Sequence, residues 1–271
     1  MSPVRPSEAL ANPLSLFDVS DRVAIITGAS GAFGRIVAVS LGALGCKLLL
    51  ASGTAEPLAA VAAEVAAVGG EAQVFVRRPN SLEDAEAIVT AAVDAYGKAD
   101  TLVVASGLNK PAMIEKMDVE DWQAVMDANV RGPWLMAKAF GTRLIERGER
   151  GKVLLVSSVR GRHGNAAGYT SYSTSKGATD ALTKVLATEW GKYGINVNAV
   201  APAVFRSALT AWIFEDTEAG ADSRKRNMTR IPLGRMGEPE DFIGIALYLL
   251  SPASDFCTGQ VIYVDGGYTA G

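Results

Sequence analysis

Val23-Ala24-Ile25-Ile26-Thr27-Gly28-Ala29-Ser30-Gly31-Ala32-Phe33-Gly34 is the stretch that decides the fold of this chain. Its first five residues are mostly β-branched, as a buried strand requires, and three glycines then interrupt the run before apolar spacing resumes with a helical period. A glycine-rich turn read alone is an ordinary turn; placed between a strand and a helix, it becomes an anion site, because the first backbone N–H groups of the helix have no partners of their own. Gly28 suits the sharp turn and Gly34 the close approach of helix to sheet, so this segment reads as a pyrophosphate-binding turn.

Outward from it, short β-type runs recur: KLLLA at Lys47, AQVFV at Ala72, TLVVA at Thr101, KVLLVS at Lys152, INVNAVA at Ile195 and QVIYVD at Gln260. Between them lie stretches with helical apolar spacing, such as Leu82, Ala85, Ile88, Val89, Ala92 and Phe242, Ile245, Ala246, Leu249, with Gly69, Gly97 and Gly194 near the ends. Buried strands alternating with helices specify right-handed crossovers, hence a doubly wound α/β domain with a parallel sheet of about seven strands. The expected division is an N-terminal arm over 1–20, read as loose, and one catalytic domain over 21–271. The interruption from Ser207 to Arg230 is expected to form a substrate lid at about 207–230, over the carboxyl ends of the strands where such sheets bind ligands.

The bulk composition excludes several classes. Of 271 residues, 49% are hydrophobic but lie in short runs, none approaching the roughly 18 residues of a membrane span. A net charge of −3 with interspersed signs leaves no basic stripe for nucleic acid, and the Arg224, Lys225, Arg226, Arg230 cluster reads as a solvated helix face. Cys46 and Cys257 suggest neither a metal knuckle nor a disulfide framework, and each reads as a small buried hydrophobe. The opening segment lacks the pattern of a secretion signal, so the expected location is the cytoplasm.

The chemistry is carried by Ser157-Ser158 at the end of the fifth strand run and by Tyr172-Ser173-Thr174-Ser175-Lys176 beyond it. Tyr172 and Lys176 are four apart on one helical face, and a neighbouring ammonium stabilises phenolate, lowering a pKa that starts at about 10. Such a tyrosine donates a proton to a carbonyl oxygen in reduction and takes it back in oxidation. Either serine hydroxyl can bind the substrate oxygen. Tyr169 has no lysine four residues on and is read as a pocket residue. His163, the only histidine, is likewise read as lining the pocket rather than transferring the proton.

Together these motifs resemble the short-chain dehydrogenase/reductase family from Arg22 to Gly267, which implies a Rossmann-type fold and a nicotinamide cofactor. The turn, Gly28 through Ser30, Gly31, Ala32, Phe33 and Gly34, is similar to the family's TGxxxGxG, with Ala32 in place of the middle glycine. The resemblance chooses Ser158 over Ser157, fourteen residues before Tyr172, assigns Lys176 to the nicotinamide ribose as well, and matches Asn129 to an asparagine that sustains a water-linked proton path to the lysine. A buried asparagine satisfying backbone is the alternative for Asn129. The family's NNAG appears as Val104-Ala105-Ser106-Gly107; Gly107 still permits close approach, but both bracing asparagines are lost. The segment Asn198 to Ala203 resembles NxxxPG, which places Pro202, the Val204 backbone and the Ser207 hydroxyl at the nicotinamide carboxamide.

Where NAD users carry an acid after the second strand, this chain has Ala51-Ser52-Gly53-Thr54, so nothing there repels a phosphate and NADP is favoured over NAD. Charge to hold that phosphate can come only from Arg35 or Arg78. Arg78 stands where the family has an adenine-contacting aspartate, and is either a phosphate ligand or a solvated residue.

Asn109, His163, Asn165, Tyr169 and Trp212 are the expected substrate contacts, beside Ser106; Trp212 and Phe214 either cap the substrate or anchor the lid. No metal is implied. The entry segment and the Ser158-Val159-Arg160-Gly161 loop look most similar to gluconate 5-dehydrogenase-like members, which implies a secondary alcohol and ketone on a sugar acid or polyol. Alternatives are a 3-oxoacyl-thioester or cyclic ketone reductase, and, from another class, a catalytically silent cofactor-binding regulator motivated by Ala32, Val104, Ala105 and Ala203. The C-terminal YVDGGYTAG tail resembles those of family homotetramers.

Overall fold

A computed structural model describes residues 6–271 of the chain. All seven expected strand runs form strands: β1 (Val23–Thr27), β2 (Lys47–Ser52), β3 (Glu71–Val76), β4 (Thr101–Val104), β5 (Gly151–Val156), β6 (Ile195–Pro202) and β7 (Val261–Val264). They pair in parallel in the order β3-β2-β1-β4-β5-β6-β7. The helices are α1 (Pro6–Ala11), α2 (Ala32–Ala43), α3 (Ala55–Ala67), α4 (Leu82–Tyr96), α5 (Val119–Met126), α6 (Gly132–Arg147), α7 (Thr170–Trp190), α8 (Glu218–Met228) and α9 (Ile243–Leu250).

Helices on both faces explain why β1, β4 and β5 are buried at every position. All five residues of β1 are buried, with Ile25 in a core beneath α4, α6 and α7 and Ala24 and Ile26 in a second core beneath α2, α3 and α9. The strand order reverses at β1: the chain winds outward to β3, then returns to β4 on the other side. Thr27 therefore faces both Ala51 and Val104, and the glycine turn opens into the crevice between the ends of β1 and β4. Local signals agree with the tertiary fold, as in α4, where Ser81 and Asp84 form a reciprocal capping box and Gly97 closes the helix at φ +79°.

The structure corrects several expectations. Within the described residues the N-terminal segment carries local structure, Pro6–Ala11 being helical and Pro13–Phe17 a 3-10 turn; Leu10 and Leu14 are exposed, and only Val19, 1% exposed, joins the core beneath α2. Residues 207–230 are largely helical, a 3-10 segment Ala208–Phe214 followed by α8. The basic cluster there is not merely solvated, because Arg224 donates to the carbonyls of Ile213 at 2.5 Å and Glu215 at 2.8 Å and ties the two helical pieces together. Cys46 is buried, and burial pushes its thiol up to about 12, but Cys257 is only half-buried. No helix among the described residues is long and apolar enough to cross a membrane.

Candidate active site

At the carboxyl ends of β5 and β6, the two adjacent serines point to different partners. Ser157 donates to the Asp180 carboxylate and, at 3.4 Å, to the Lys176 carbonyl, so its hydroxyl is spent against α7. Ser158 accepts from the Arg160 N–H at 3.2 Å, and its hydroxyl lies against the Tyr172 phenol, which it favours in the ionised form. The serine facing Tyr172 is thus Ser158.

Lys176 is buried, 3% exposed, and its Nζ donates to the Val156 carbonyl at 2.8 Å while lying 5.6 Å from the centre of the Tyr172 ring. Loss of water dominates both groups: it pulls the Lys176 ammonium down to about 8 and pushes the Tyr172 phenol up to about 12. This corrects the expectation of a lysine-depressed phenol. The shared helical face is as expected, but the ammonium is held by a backbone carbonyl.

Asn129 sits in a π-turn, Asp127–Arg131, between α5 and α6. Its carboxamide accepts from Leu108 N at 2.7 Å and donates to Leu108 O and to Ser175 Oγ, both at 2.9 Å. Asn129 thereby supplies the bracing of the β4 end that the two missing asparagines would have given, and a Cβ on Gly107 would lie 3.8 Å from both Asn129 Oδ1 and Lys176 Nζ.

The nucleotide end fits a dinucleotide. Gly28 has φ +68°, and a Cβ on it would lie 2.4 Å from the Ser106 backbone nitrogen, so only glycine lets the turn and the β4 loop approach. Gly31 precedes α2 without any side-chain cap, which leaves the first N–H groups of the helix free for phosphate oxygens. Ala32 is the first residue of that helix, where ordinary helical backbone serves, and the replacement of glycine costs the turn nothing. Phe33 turns its ring inward against Phe205 and Phe242, at centroid distances of 5.2 and 4.7 Å, so its backbone is what it can offer a ligand. Gly34 packs on Gly28. Arg35 is paired with Glu64 at 2.7 Å. Arg78 instead crosses Gly53 so closely that a Cβ there would lie 2.1 Å from its Nε; Ser52, the residue before Gly53, has its hydroxyl 2.9 Å from that of Ser30.

A family model described as "Enoyl-(Acyl carrier protein) reductase" matches residues 28–269. An uncharacterised oxidoreductase of Mycobacterium tuberculosis is 53% identical over 258 residues, covering 95% of this chain and 94% of the relative. The chain belongs to the short-chain dehydrogenase/reductase family. The gluconate 5-dehydrogenase of Gluconobacter oxydans is 34% identical over 257 residues, 94% of this chain and 97% of that one. The crystal structure of a gluconate 5-dehydrogenase from Burkholderia cenocepacia, in complex with NADP and tartrate, superposes with a TM-score of 0.88 at 30% identity, covering 96% and 100% of the two chains. As a short-chain dehydrogenase/reductase, this protein is an oxidoreductase acting with NAD(P) between a secondary alcohol and a ketone.

The remaining expected contacts of this dehydrogenase divide. Pro202 ends β6, and its carbonyl lies 3.5 Å from Ser158 Oγ. The Val204 carbonyl accepts from Gly237 at 3.0 Å, and Ser207 Oγ lies 2.9 Å from Thr210 Oγ1 at the start of the lid segment. Asn109 Oδ1 and His163 Nε2 are buried with no hydrogen-bond partner, and Tyr169 stands edge-on to Tyr172 at 6.1 Å. Asn165 Oδ1 accepts from Ala167 N at 3.0 Å within its own loop, which leaves its Nδ2 as the group it can offer a substrate. Trp212 is 42% exposed and Phe214 stacks under Arg206 at 3.9 Å; the buried anchor of the lid is Ile213. Three neighbours were not foreseen: Asp180, which orients Ser157; Arg160, within the quoted loop; and Tyr268, a buried residue of the C-terminal tail. Only their position close to quoted motifs could have marked them.

Proposed function

We propose that this short-chain dehydrogenase/reductase uses NADP to interconvert the secondary alcohol and ketone of a sugar acid or polyol, with Asn129, Ser158, Tyr172 and Lys176 as its working residues. The observation that carries the reading is the meeting of Ser158, Tyr172 and Lys176 at the strand ends, beside the uncapped start of α2. The cofactor supplies or accepts the hydride at the substrate carbon. Tyr172 gives the oxygen its proton in reduction and removes it in oxidation, and Ser158 turns its hydroxyl to the same oxygen as charge develops there. Lys176, pinned by Val156, presents its ammonium to the phenol and the nicotinamide ribose. Asn129 fixes the β4 loop through Leu108.

The preference for NADP rests on Arg78, which lies across Gly53, and on the paired Ser30 and Ser52 hydroxyls at the end of β2, with no acid in Ala51–Thr54: a donor set for a 2′-phosphate. The unpartnered Asn109 Oδ1 and His163 Nε2 favour a hydroxylated substrate, since an acyl chain would leave both buried atoms unpaired. A 3-oxoacyl thioester is the second reading, favoured by 34% identity over 248 residues to a 3-oxoacyl-[acyl-carrier-protein] reductase of Synechocystis. The working form is proposed to be a cytoplasmic homotetramer.

Turnover of keto-sugar acids, keto-sugars and 3-oxoacyl thioesters with NADPH and NADH, in the wild type and in Tyr172→Phe, tests the reading. Loss of the general acid should reduce kcat by roughly 10²–10⁴-fold. In Arg78→Gln, the KM for NADPH should rise by about tenfold while that for NADH stays put. Undiminished turnover in Tyr172→Phe overturns the mechanism, and faster turnover of thioesters than of keto-sugars replaces the substrate class.

A further inference from the structure

Beside the reacting centre is a group of rings and cations that the reaction as described does not use. Tyr172 meets Tyr169 at 6.1 Å between ring centres, the Arg160 guanidinium lies 5.8 Å from the Tyr169 ring and 5.5 Å from the Tyr268 ring, and Arg230 lies 4.5 Å from that same Tyr268 ring. Arg160 is held in place by donating to the Tyr268 hydroxyl at 3.1 Å and to the Gly164 carbonyl at 3.5 Å. Its positive charge is near enough to the Tyr172 phenol to oppose the effect of burial there. Tyr268 itself is 3% exposed, a fixed platform at the C-terminal end of the chain.

Two guanidinium groups on one ring repel each other, and such an arrangement normally carries a carboxylate between or beside them. Here neither Arg160 nor Arg230 makes an ion pair among the described residues. The nearby carboxylate of Asp265 is consumed by Gly267 N, Thr269 N and Thr269 Oγ1. An independent sign of a missing polar partner lies against the same platform: the His163 ring meets Tyr268 edge-on at 6.3 Å, and its Nε2 is buried without a hydrogen bond.

We infer that Arg160 and Arg230, gathered on Tyr268, form the recognition site for a carboxylate of the substrate, with His163 bonding an adjacent hydroxyl or carboxylate oxygen. The inference rests on the dehydrogenase reading and deepens it: the substrate is a hydroxy acid rather than a neutral polyol. Arginine suits the task because its planar fork matches a carboxylate while its face stacks on tyrosine. A sugar acid can reach from one group to the other: four extended carbon–carbon bonds of about 1.5 Å separate a carboxyl carbon from a reacting carbon by about 5 Å, and Tyr169 lies between, 6.1 Å from the Tyr172 ring and 5.8 Å from the Arg160 guanidinium. Arg160 comes from the loop after β5 and Arg230 from the end of the lid segment, so an anionic substrate would bridge floor and lid.

Calorimetric titration of the NADP-loaded protein with D-gluconate and D-glucitol, which differ only in the oxidation state of carbon one, decides the matter; L-threonate and L-threitol form a second such pair. A charge-assisted hydrogen bond should make the acid of at least one pair bind about tenfold or more tightly than its alcohol. Arg160→Gln and Arg230→Gln should each weaken the acid by roughly ten- to hundredfold and leave the alcohol nearly unchanged, with Arg160→Lys intermediate. Arg230 is exposed, so its variant reports even where Arg160→Gln disturbs folding, which thermal melting and NADP binding would reveal. Tyr172→Phe should lose turnover but keep the preference for the acid, which separates this inference from the catalytic one. Equal or absent binding of acids and alcohols in the wild type, or a preference that survives both glutamine substitutions, overturns the carboxylate site.

Discussion

Lys176 sits in the core at a cost that its sequence spacing does not reveal. Spacing of four put it on the face of Tyr172, and that much was legible, but the depth of both groups and the Val156 carbonyl that takes the ammonium are set by the sheet. With the lysine near 8 and the tyrosine near 12, the ammonium loses its proton before the phenol does. The folded value lies below the unfolded 10.5, so the unfolded chain binds more protons between about 8 and 10.5, and stability rises with pH through that window. Below about 8 the penalty is fully present. Lys176→Met should therefore stabilise the protein near pH 7 by about 1–2 kcal/mol, the relief being reduced by the unpaired Val156 carbonyl, and the gain should nearly vanish by about pH 9.5. Urea melts at the two pH values check this, below the range where the raised Tyr172 value begins to act with opposite sign; a variant destabilised at both values would refute it. Ser158 shows the same limit of sequence: the family resemblance chose it over Ser157, but the physical reason, Asp180 taking the Ser157 hydroxyl from twenty-three residues on, lies in the fold.

At the scale of elements, the strands were readable because a parallel sheet covered on both faces writes itself as uninterrupted apolar runs, and the helices because glycines such as Gly97 mark their ends. The π-turn at Asp127–Arg131 was not, since residues on either side have ordinary helical composition and the extra residue per turn leaves no periodic trace. It matters to the site, because it carries Asn129 to Leu108. The lid was located by its interruption of the strand and helix alternation, but its internal ties left no sequence signal: Ile213 is buried, and Arg224 joins the two helical pieces through two backbone carbonyls. Arg224→Ala should loosen the lid without touching the reacting atoms. Losing those charge-assisted bonds should raise the substrate KM by roughly tenfold, with Tm nearly unchanged, and speed proteolytic cleavage within 207–230. A fall in kcat at constant KM would instead place Arg224 in the chemistry.

Across the whole molecule, two of the exposed apolar regions among the described residues bear on assembly. One comprises Val119, Trp134 and Val185, which are 74%, 46% and 53% exposed on α5, α6 and α7. The other is Phe256, fully exposed just before β7, which as the last strand of the sheet pairs only with β6 and leaves an edge open. Large side chains left in water on a helix layer and at a sheet edge mark surfaces that another chain covers. A closed tetramer with dihedral symmetry needs at least two different self-complementary interfaces, and two separate patches meet that requirement where one would give only a dimer. Light scattering should accordingly give the mass of four chains. Phe256→Asp and Val185→Asp should each leave dimers, joined through whichever patch is intact, and the double variant should give monomers, because a charge buried without a partner costs several kcal/mol in an interface. A monomeric wild type would refute the assembly. Dimers from one variant and intact tetramers from the other would show which patch belongs to the interface and leave the other to be explained by a different partner.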